Sequence, residues 1–287
     1  MTTLEARGLV KRFRGGIRAV DGVSFTLSAG RTVALVGQSG SGKSTVAAML
    51  LRLERPTAGE ILLDGAPVGR RDLRRYRRTV QMVFQDPFAS LNPYHTVEHH
   101  LARPLKTAHP RLAVAETSLR VARLLERVQL DPALATRRPH ELSGGQRQRV
   151  AIARALAPSP GILIADEPVS MLDVSLRLGI LTLLAGLRRE NDLGVLYITH
   201  DLATARHFAD EIMVMYEGRI VERGPSDEVI LNPRHPYTKT LAAASPDPAR
   251  RLAAVRPSVS HPPPDWSPAT PEPYDQRQVS RIERSEG

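Results

Sequence analysis

A glycine-rich segment, GQSGSGKST at residues 37–45, lies between an apolar run and a helical pattern. The apolar run Thr32–Val36 predicts a buried strand, and the pattern at Val46–Leu51 predicts a helix. The segment fits G-x-x-x-x-G-K-[ST], in which glycines allow backbone N–H groups to converge on phosphate oxygens. A strand, a glycine loop and a helix in this order predict an α/β domain that binds phosphate at the N-terminus of the helix.

The residue types in this segment indicate a nucleotide together with a metal ion. We expect Lys43 to place its charge on the β- and γ-phosphates and the Ser44 hydroxyl to ligate Mg2+. The glycines do not follow G-x-G-x-x-G, which excludes a dinucleotide fingerprint. A chance glycine loop is the alternative, and the flanking strand and helix disfavour it. The predicted phosphate cradle consists of Gly37, Gln38, Ser39, Gly40, Ser41, Gly42, Lys43, Ser44 and Thr45.

Two acidic residues follow a second apolar run, Ile162–Ala165. Acids at the end of a buried strand are costly unless they hold a cation or titrate. In a protein with a phosphate loop, we expect the first acid, Asp166, to support Mg2+. The second, Glu167, is then placed to accept a proton from attacking water or to orient that water. A plain polar turn is the alternative, and the preceding phosphate loop disfavours it.

Composition and charge narrow the class of protein. The net charge of +10 favours anionic partners, such as nucleotides, nucleic acid or acidic lipid, without choosing among them. The absence of cysteine excludes disulfides, cysteine-bound zinc and iron–sulfur clusters. The N-terminal sequence lacks the apolar core of a signal peptide, and no apolar stretch is long enough to cross a bilayer. Any role at a membrane is therefore expected to work through a partner.

Local patterns predict several elements. Short β-favouring runs in residues 4–27 predict strands, and Asp131-Pro132 predicts the start of a helix. Glu217-Gly218, between two apolar runs, predicts a hairpin turn. The apolar runs Ile162–Ala165 and Val195–Thr199, with helical patterns between them, predict a mostly parallel sheet.

We predict that residues 1–87 form a strand-rich entry region and the phosphate-loop half of this core, and that residues 88–141 form a helical subdomain. Residues 142–231 are expected to complete the core. Residues 232–287 are expected to form a C-terminal extension that ends in a Pro-rich tail without assigned secondary structure.

Between the two motifs lies Leu142-Ser143-Gly144-Gly145-Gln146, and here the chain resembles the ATP-binding subunits of ABC transporters. The resemblance covers most of the chain, and its motifs occur in the order of that family. It implies an α/β P-loop NTPase cassette with a mostly parallel core sheet, an N-terminal antiparallel β-subdomain and an inserted α-helical subdomain. Residues 37–45 then match the Walker A motif, Ser143, Gly144, Gly145 and Gln146 match the signature, and Asp166 and Glu167 match Walker B and its catalytic glutamate.

The same resemblance implies roles for four further residues. Gln85, in VFQDP, matches the Q-loop and is expected to act in catalysis and at Mg2+. Asp173, in SMLD, matches the D-loop, and His200, in ITHD, matches the catalytic switch histidine. Phe13 lies where the family often stacks an aromatic ring on adenine. Each residue alone would fit an ordinary surface or structural role. A role in binding or catalysis is favoured because the motifs occur together in the order of the family.

The resemblance also implies an assembly. ATP is expected to lie between the phosphate cradle of one cassette and the signature of another, in a head-to-tail dimer. The phrases RRPHELSGGQRQRV and ADEPVS, and the segment Asn232–Thr238, resemble the oligopeptide, dipeptide and nickel importers, closest to the second ATPase of the pair. This implies a related second ATPase, two membrane-spanning permeases and an extracytoplasmic substrate-binding protein. The chain is then expected at the cytoplasmic face of the membrane, without nucleic acid as a partner.

Three alternatives are kept at this point. A nickel or other small-solute importer of the same family differs only in cargo. A soluble ABC ATPase that acts on nucleic acid or ribosomes fits the positive charge, although the chain has one cassette and no sustained heptads. A regulatory cassette that binds ATP without hydrolysis is disfavoured because Lys43, Glu167 and His200 are all present.

Overall fold

The computed structural model describes residues 1–69 and 71–244. The strands of these residues are β1 (Thr3–Arg12), β2 (Arg18–Ser28), β3 (Thr32–Val36), β4 (Ala58–Leu63), β5 (Ala66–Pro67), β6 (Val80–Val83), β7 (Ile162–Asp166), β8 (Gly194–Thr199), β9 (Glu211–Tyr216) and β10 (Arg219–Pro225). The α-helices are α1 (Lys43–Leu50), α2 (Leu73–Thr79), α3 (Pro87–Ser90), α4 (Val97–Ala108), α5 (Val114–Arg127), α6 (Gly144–Leu156), α7 (Val174–Asn191), α8 (Leu202–Phe208), α9 (Ser226–Leu231) and α10 (Pro236–Ala244).

The first sheet is antiparallel and has the order β2-β1-β4-β5. Along β2 the buried side chains alternate with more exposed ones, as in Val23, Phe25 and Leu27. This alternation is typical of a sheet that covers a core with one face only. The strand-rich entry region predicted from residues 4–27 is therefore confirmed.

The second sheet has the order β10-β9-β3-β8-β7-β6, and every pair except β10–β9 is parallel. All residues of β3, β7 and β8 are buried. Their side chains alternate between two apolar clusters: Ala34 and Val36 belong to one, and Val33 and Leu35 to the other. Because both faces of the sheet are covered, these strands are continuous apolar runs, as the sequence predicted.

Helices fill most of the chain between β6 and β7. α4, α5 and α6 pack together, and their buried Leu101, Val121, Leu125 and Val150 belong to one apolar cluster. The helix start predicted at Asp131-Pro132 is a 3-10 helix, Pro132–Thr136, whose first turn is capped by the Asp131 carboxylate accepting from the Ala133 N–H at 2.8 Å. A second 3-10 helix, Pro139–Glu141, leads to the signature segment.

The end of the described chain returns to the second sheet. Glu217 and Gly218 have positive φ values of 45° and 80° and connect β9 to β10, which confirms the predicted hairpin turn. α9 and α10 follow, and the Pro-rich tail predicted beyond them falls in residues 245–287, outside the described residues. In the part of the chain that the structure describes, no helix has the length and apolar character that a bilayer span requires.

Candidate nucleotide-binding site

The phosphate loop connects the carboxyl end of β3 to the first turn of α1. Gly40 and Gly42 have φ values of 80° and 108°, which residues with a side chain rarely adopt. Gly37 is required by contact, because an added Cβ atom would lie 2.2 Å from the Met215 carbonyl oxygen of β9. The Gly218 N–H donates to the Ser41 carbonyl at 3.0 Å, so the β9–β10 turn also holds this loop.

Lys43 bends back over the loop that precedes it. Its Nζ atom donates to the carbonyl oxygens of Gly37 at 2.6 Å and Gln38 at 2.8 Å. The side chain is buried, and burial lowers the pKa of its ammonium group, while the nearby carboxylates of Glu167 and Asp166 oppose that shift. A buried cation beside a loop of backbone N–H groups is suited to bind phosphate oxygens.

Asp166 is the last residue of β7 and lies within reach of α1. Burial, together with the neighbouring Glu167 carboxylate, raises the pKa of Asp166 to about 6, although Lys43 and a hydrogen bond with the Ser44 hydroxyl oppose the shift. The structure thus brings together Ser44 of the phosphate loop and Asp166 of β7, two of the residues that the sequence analysis assigned to Mg2+.

Glu167 is held between two of the predicted catalytic side chains. Its Oε2 atom accepts a hydrogen bond from Gln85 Nε2 at 3.2 Å, and its Oε1 atom lies 3.0 Å from His200 Nδ1. The Glu167 side chain is 18% exposed and that of His200 is 60% exposed. Glu167 has a φ of 43°, and its N–H is anchored on the Ile198 carbonyl of β8 at 2.9 Å. Strained backbone of this kind is common where a side chain must point into a functional site.

A cavity of about 1770 Å³ opens beside this group of residues. Ser44, Gln85 and Asp166 are among the residues that line it, together with side chains of α2 and α4 such as Arg74 and Arg103. Of the predicted catalytic side chains, Gln85 therefore borders this open space.

The signature residues form the start of α6. The Ser143 hydroxyl accepts from the Gln146 N–H at 3.2 Å, and the Gln146 side chain accepts from the Ser143 N–H at 2.9 Å, which makes a capping box. An added Cβ atom at Gly144 would lie 3.8 Å from Leu172, so the signature is next to the D-loop. Asp173 is exposed and occupies the N-cap position of α7.

Phe13 lies in the turn between β1 and β2. The residue is 41% exposed, and the Lys11 ammonium group is 5.0 Å from the centroid of its ring. An exposed aromatic ring of this kind is available for stacking. Its proposed role on adenine stays a prediction.

Comparison with known proteins supplies the family. The family described as ABC transporter matches residues 20–170, and the family described as oligopeptide/dipeptide transporter, C-terminal region, matches residues 221–267. The chain is 45% identical over 253 residues to the oligopeptide transport ATP-binding protein AppF of Bacillus subtilis (strain 168), covering 87% of this chain and 77% of that protein. The chain belongs to the ABC transporter family.

A second relative of this ABC transporter chain is the di/tripeptide transport ATP-binding protein DppF of Pseudomonas aeruginosa (strain UCBPP-PA14). The two are 44% identical over 268 residues, which cover 90% of this chain and 82% of that protein. The resemblance drawn from the motifs is therefore confirmed. As an ABC ATPase, the chain binds and hydrolyses ATP.

Solved structures confirm the fold of this ABC ATPase. The cassette cbiO1 from Clostridium perfringens matches with a TM-score of 0.73 and 30% identity over 80% of this chain and 90% of that chain. The ATP-binding cassette MJ0796, in a dimeric post-hydrolysis state bound to ADP and Pi, matches with a TM-score of 0.69 and 32% identity over 78% and 98%. The predicted mostly parallel core sheet, N-terminal antiparallel sheet and inserted helices are all present.

The sequence analysis did not predict one residue that contacts the phosphate loop of this ABC ATPase. The Tyr237 hydroxyl, on α10, accepts a hydrogen bond from the Gln38 N–H at 2.9 Å. The two residues are 199 positions apart. The segment Asn232–Thr238 was assigned only to the peptide-importer group, and no local pattern connects it to the loop.

Proposed function

We propose that this chain is the ATP-hydrolysing subunit that energises an ABC importer of peptides. The observation that carries the proposal is the placement of the Glu167 carboxylate between Gln85 and His200, next to a complete phosphate loop. A carboxylate in this place is suited to orient a water molecule for attack on the γ-phosphate and to accept its proton. His200 is proposed to orient Glu167 and to contact the transferred phosphate group.

Mg2+ is the proposed metal, and the available donors fit it. The Ser44 hydroxyl, the Asp166 carboxylate and the Gln85 side-chain amide all offer oxygen, the ligand atom that Mg2+ prefers. Asp166 is also buried, and its pKa is raised, so a bound cation would offset the cost of ionising it. When bound, Mg2+ neutralises charge on the β- and γ-phosphates.

Two findings support peptides as the cargo. The C-terminal match at residues 221–267 is to a family described by oligopeptide and dipeptide transport, and it begins inside β10, so it is continuous with the cassette. The relatives AppF and DppF are named for oligopeptide and di/tripeptide transport. We carry this cargo over to the present chain as part of the proposal.

The proposed assembly is a head-to-tail pair with a related second ATPase. Ser143 begins α6, and the N–H groups of a helix N-terminus attract anions. The capping box engages the N–H groups of Ser143 and Gln146. The N–H groups of Gly144 and Gly145, in the same turn, are proposed to close on the γ-phosphate held by a second chain. Residues 88–141 are proposed to act as a separate helical subdomain, and Gln85 precedes that segment directly.

The remaining partners are two membrane-spanning permeases and a substrate-binding protein on the outer side. The chain is proposed to sit on the cytoplasmic face of the membrane, held there by the permeases. The cavity beside Gln85 lies between the second sheet and the helical segment, so a partner that fills it would be next to the catalytic residues.

A substitution at Glu167 tests the catalytic part of the proposal. Glu167→Gln keeps the size of the side chain and removes its basicity, so we expect ATP turnover to fall by about 100-fold or more. The closed pair, bound to ATP, should accumulate and elute as a dimer. Glu190→Gln, at an exposed glutamate of α7, is the matched control and should leave turnover at the wild-type level. Normal turnover by Glu167→Gln would rule out Glu167 as the general base.

Uptake in cells tests the cargo. In a strain that lacks this chain, we expect wild-type protein to restore uptake of labelled di- and oligopeptides and Glu167→Gln to fail. Labelled nickel, measured in the same strains, separates the two cargoes. Restoration of nickel uptake alone would refute the peptide assignment while leaving the ATPase assignment intact.

A further inference from the structure

The C-terminal helix α10 makes a direct hydrogen bond to the phosphate loop. Tyr237, in its first turn, accepts from the Gln38 N–H at 2.9 Å. That N–H belongs to the peptide group that joins Gly37 to Gln38, at the entrance of the loop. α10 lies in the region matched by the peptide-transporter C-terminal family rather than by the ABC transporter family.

The same peptide group is also a partner of Lys43. The Gly37 carbonyl, at its other end, accepts from Lys43 Nζ at 2.6 Å. One planar amide therefore connects the Tyr237 hydroxyl to the Lys43 ammonium group. Hydrogen bonds in such a chain polarise one another, and each fixes the orientation of the shared amide.

Tyr237 is itself held from several sides. Its ring packs on Tyr216, with 4.2 Å between centroids and 32° between planes, and Tyr216 is the last residue of β9. The Glu222 carboxylate of β10 accepts the N–H groups of Arg234 and His235 at 2.8 and 3.0 Å, just before α10 begins. The His235 ring accepts the Tyr237 N–H at 3.2 Å. The Tyr237 hydroxyl is thus held against the phosphate loop by contacts with β9, β10 and the His235 ring.

We propose that Tyr237 is a positioning residue of the phosphate loop, through which the C-terminal region sets the affinity of the chain for ATP. The inference rests on the proposed function, because it requires this loop to bind ATP. On binding, the Lys43 ammonium group exchanges the Gly37 and Gln38 carbonyls for phosphate oxygens. Tyr237 keeps the first peptide of the loop in place after that exchange, so less ordering is needed when ATP binds.

The test uses the full-length chain and the substitution Tyr237→Phe, which keeps the ring and removes the hydroxyl. We expect the Kd for Mg-ATP, measured by titration calorimetry, to rise about fivefold. In the chain assembled with its partner subunits, KM for ATP should rise by a similar factor, with kcat within about twofold of wild type. Tyr216→Phe is the control, because it removes a neighbouring tyrosine hydroxyl and keeps the ring contact. Its Kd and KM should equal those of wild type.

Stability measurements separate positioning from a purely structural role. A structural role predicts an equal fall in Tm with and without ATP and an unchanged Kd, and that result would overturn the inference. Positioning predicts a smaller rise in Tm on adding ATP for Tyr237→Phe than for wild type. An equal rise in Kd for Tyr216→Phe would also overturn it. If wild-type chain fails to bind ATP, the proposed function fails first, and Lys43→Ala defines the signal expected for no binding.

Discussion

Asp166 is a buried carboxyl group whose charge costs stability when no cation is bound. Its pKa is about 6 in the folded chain and 3.8 as the ordinary value, so the folded state binds the proton more tightly. The contribution of the neutral form to stability is fully present below about pH 4 and is lost as the pH rises through about 6. At neutral pH, the nucleotide-free chain is therefore less stable than a variant that lacks this charge.

Asp166→Asn is accordingly expected to stabilise the nucleotide-free chain. At pH 8 the free energy of unfolding should rise by about 2 kcal/mol, and the gain should shrink towards zero near pH 4. Urea unfolding at both pH values measures it. Asp173→Asn makes the same change at an exposed position and should alter the free energy of unfolding by less than about 0.5 kcal/mol. A gain that does not depend on pH would contradict the assigned cause.

His200 is proposed to affect the rate of hydrolysis rather than the stability of the chain. Its Nδ1 atom is 3.0 Å from the Glu167 carboxylate, and its side chain is largely exposed. His200→Ala should lower kcat for ATP hydrolysis by about 100-fold while changing the Kd for ATP by less than about twofold. His207→Ala, at an exposed position of α8, is the control. A loss of ATP binding in His200→Ala would show that this residue serves the ground state instead.

The residues of this site differ in how far the sequence could predict them. Lys43, Ser44 and Asp166 were predicted from local pattern, because a loop or a strand end carries its own signal. Gln85 and His200 lie 82 and 33 positions from Glu167, and only the family resemblance connected them before the fold was known. No sequence pattern indicated the role of Tyr237, because its contact with the loop is one hydrogen bond from a backbone N–H. Any residue at position 38 except proline offers that N–H.

At the scale of elements, the strands were predictable because of where they are buried. β3, β7 and β8 are covered on both faces, so they are mostly apolar and stand out against polar neighbours. The hairpin at Glu217-Gly218 was predicted from its turn residues. The order of strands in the second sheet could not be predicted from the sequence, because strand pairing depends on contacts between distant segments. The capping box at the start of α6, between Ser143 and Gln146, was found in the structure and not in the sequence analysis.

The attachment of α10 is an element-scale property with a measurable consequence. Burial raises the pKa of Glu222, but hydrogen bonds outweigh it, and the net pKa lies below its ordinary value. The stabilisation is thus present at neutral pH and is lost as the pH falls through that lowered pKa. Glu222→Gln replaces one acceptor oxygen by a donor facing the N–H groups of Arg234 and His235.

We therefore expect Glu222→Gln to loosen α10 locally at neutral pH. Amide hydrogen exchange in α10 should quicken by about tenfold, while exchange in β3 stays at the wild-type rate. Glu228→Gln is the matched control, because Glu228 makes an exposed ion pair with Arg234 that contributes little. Equal exchange in Glu222→Gln and wild type would show that packing alone holds the helix.

At the scale of the whole molecule, the proposed pair places the phosphate loop and the signature of one chain in different binding sites. The carboxylates of Asp166 and Glu167 lie near the Lys43 ammonium group, and Ser143 caps α6 next to the D-loop. The proposed head-to-tail pair with a second ATPase would have two ATP sites, each built from both chains. This chain would contribute its loop to one site and its signature to the other.

Two substitutions in this chain separate the sandwich from a site within one chain. Lys43→Ala removes the loop charge, and Ser143→Asp keeps a good helix cap but places a negative charge where the γ-phosphate of the partner's ATP is expected. With a non-hydrolysable ATP analogue, we expect wild-type pairs to trap two nucleotides, each single variant one, and the double variant none. The analogue that remains bound after gel filtration gives the count. If loop and signature served the same site, the double variant would trap as many nucleotides as either single variant. Urea unfolding of Ser143→Asp, expected within about 0.5 kcal/mol of wild type, verifies that the cap survives.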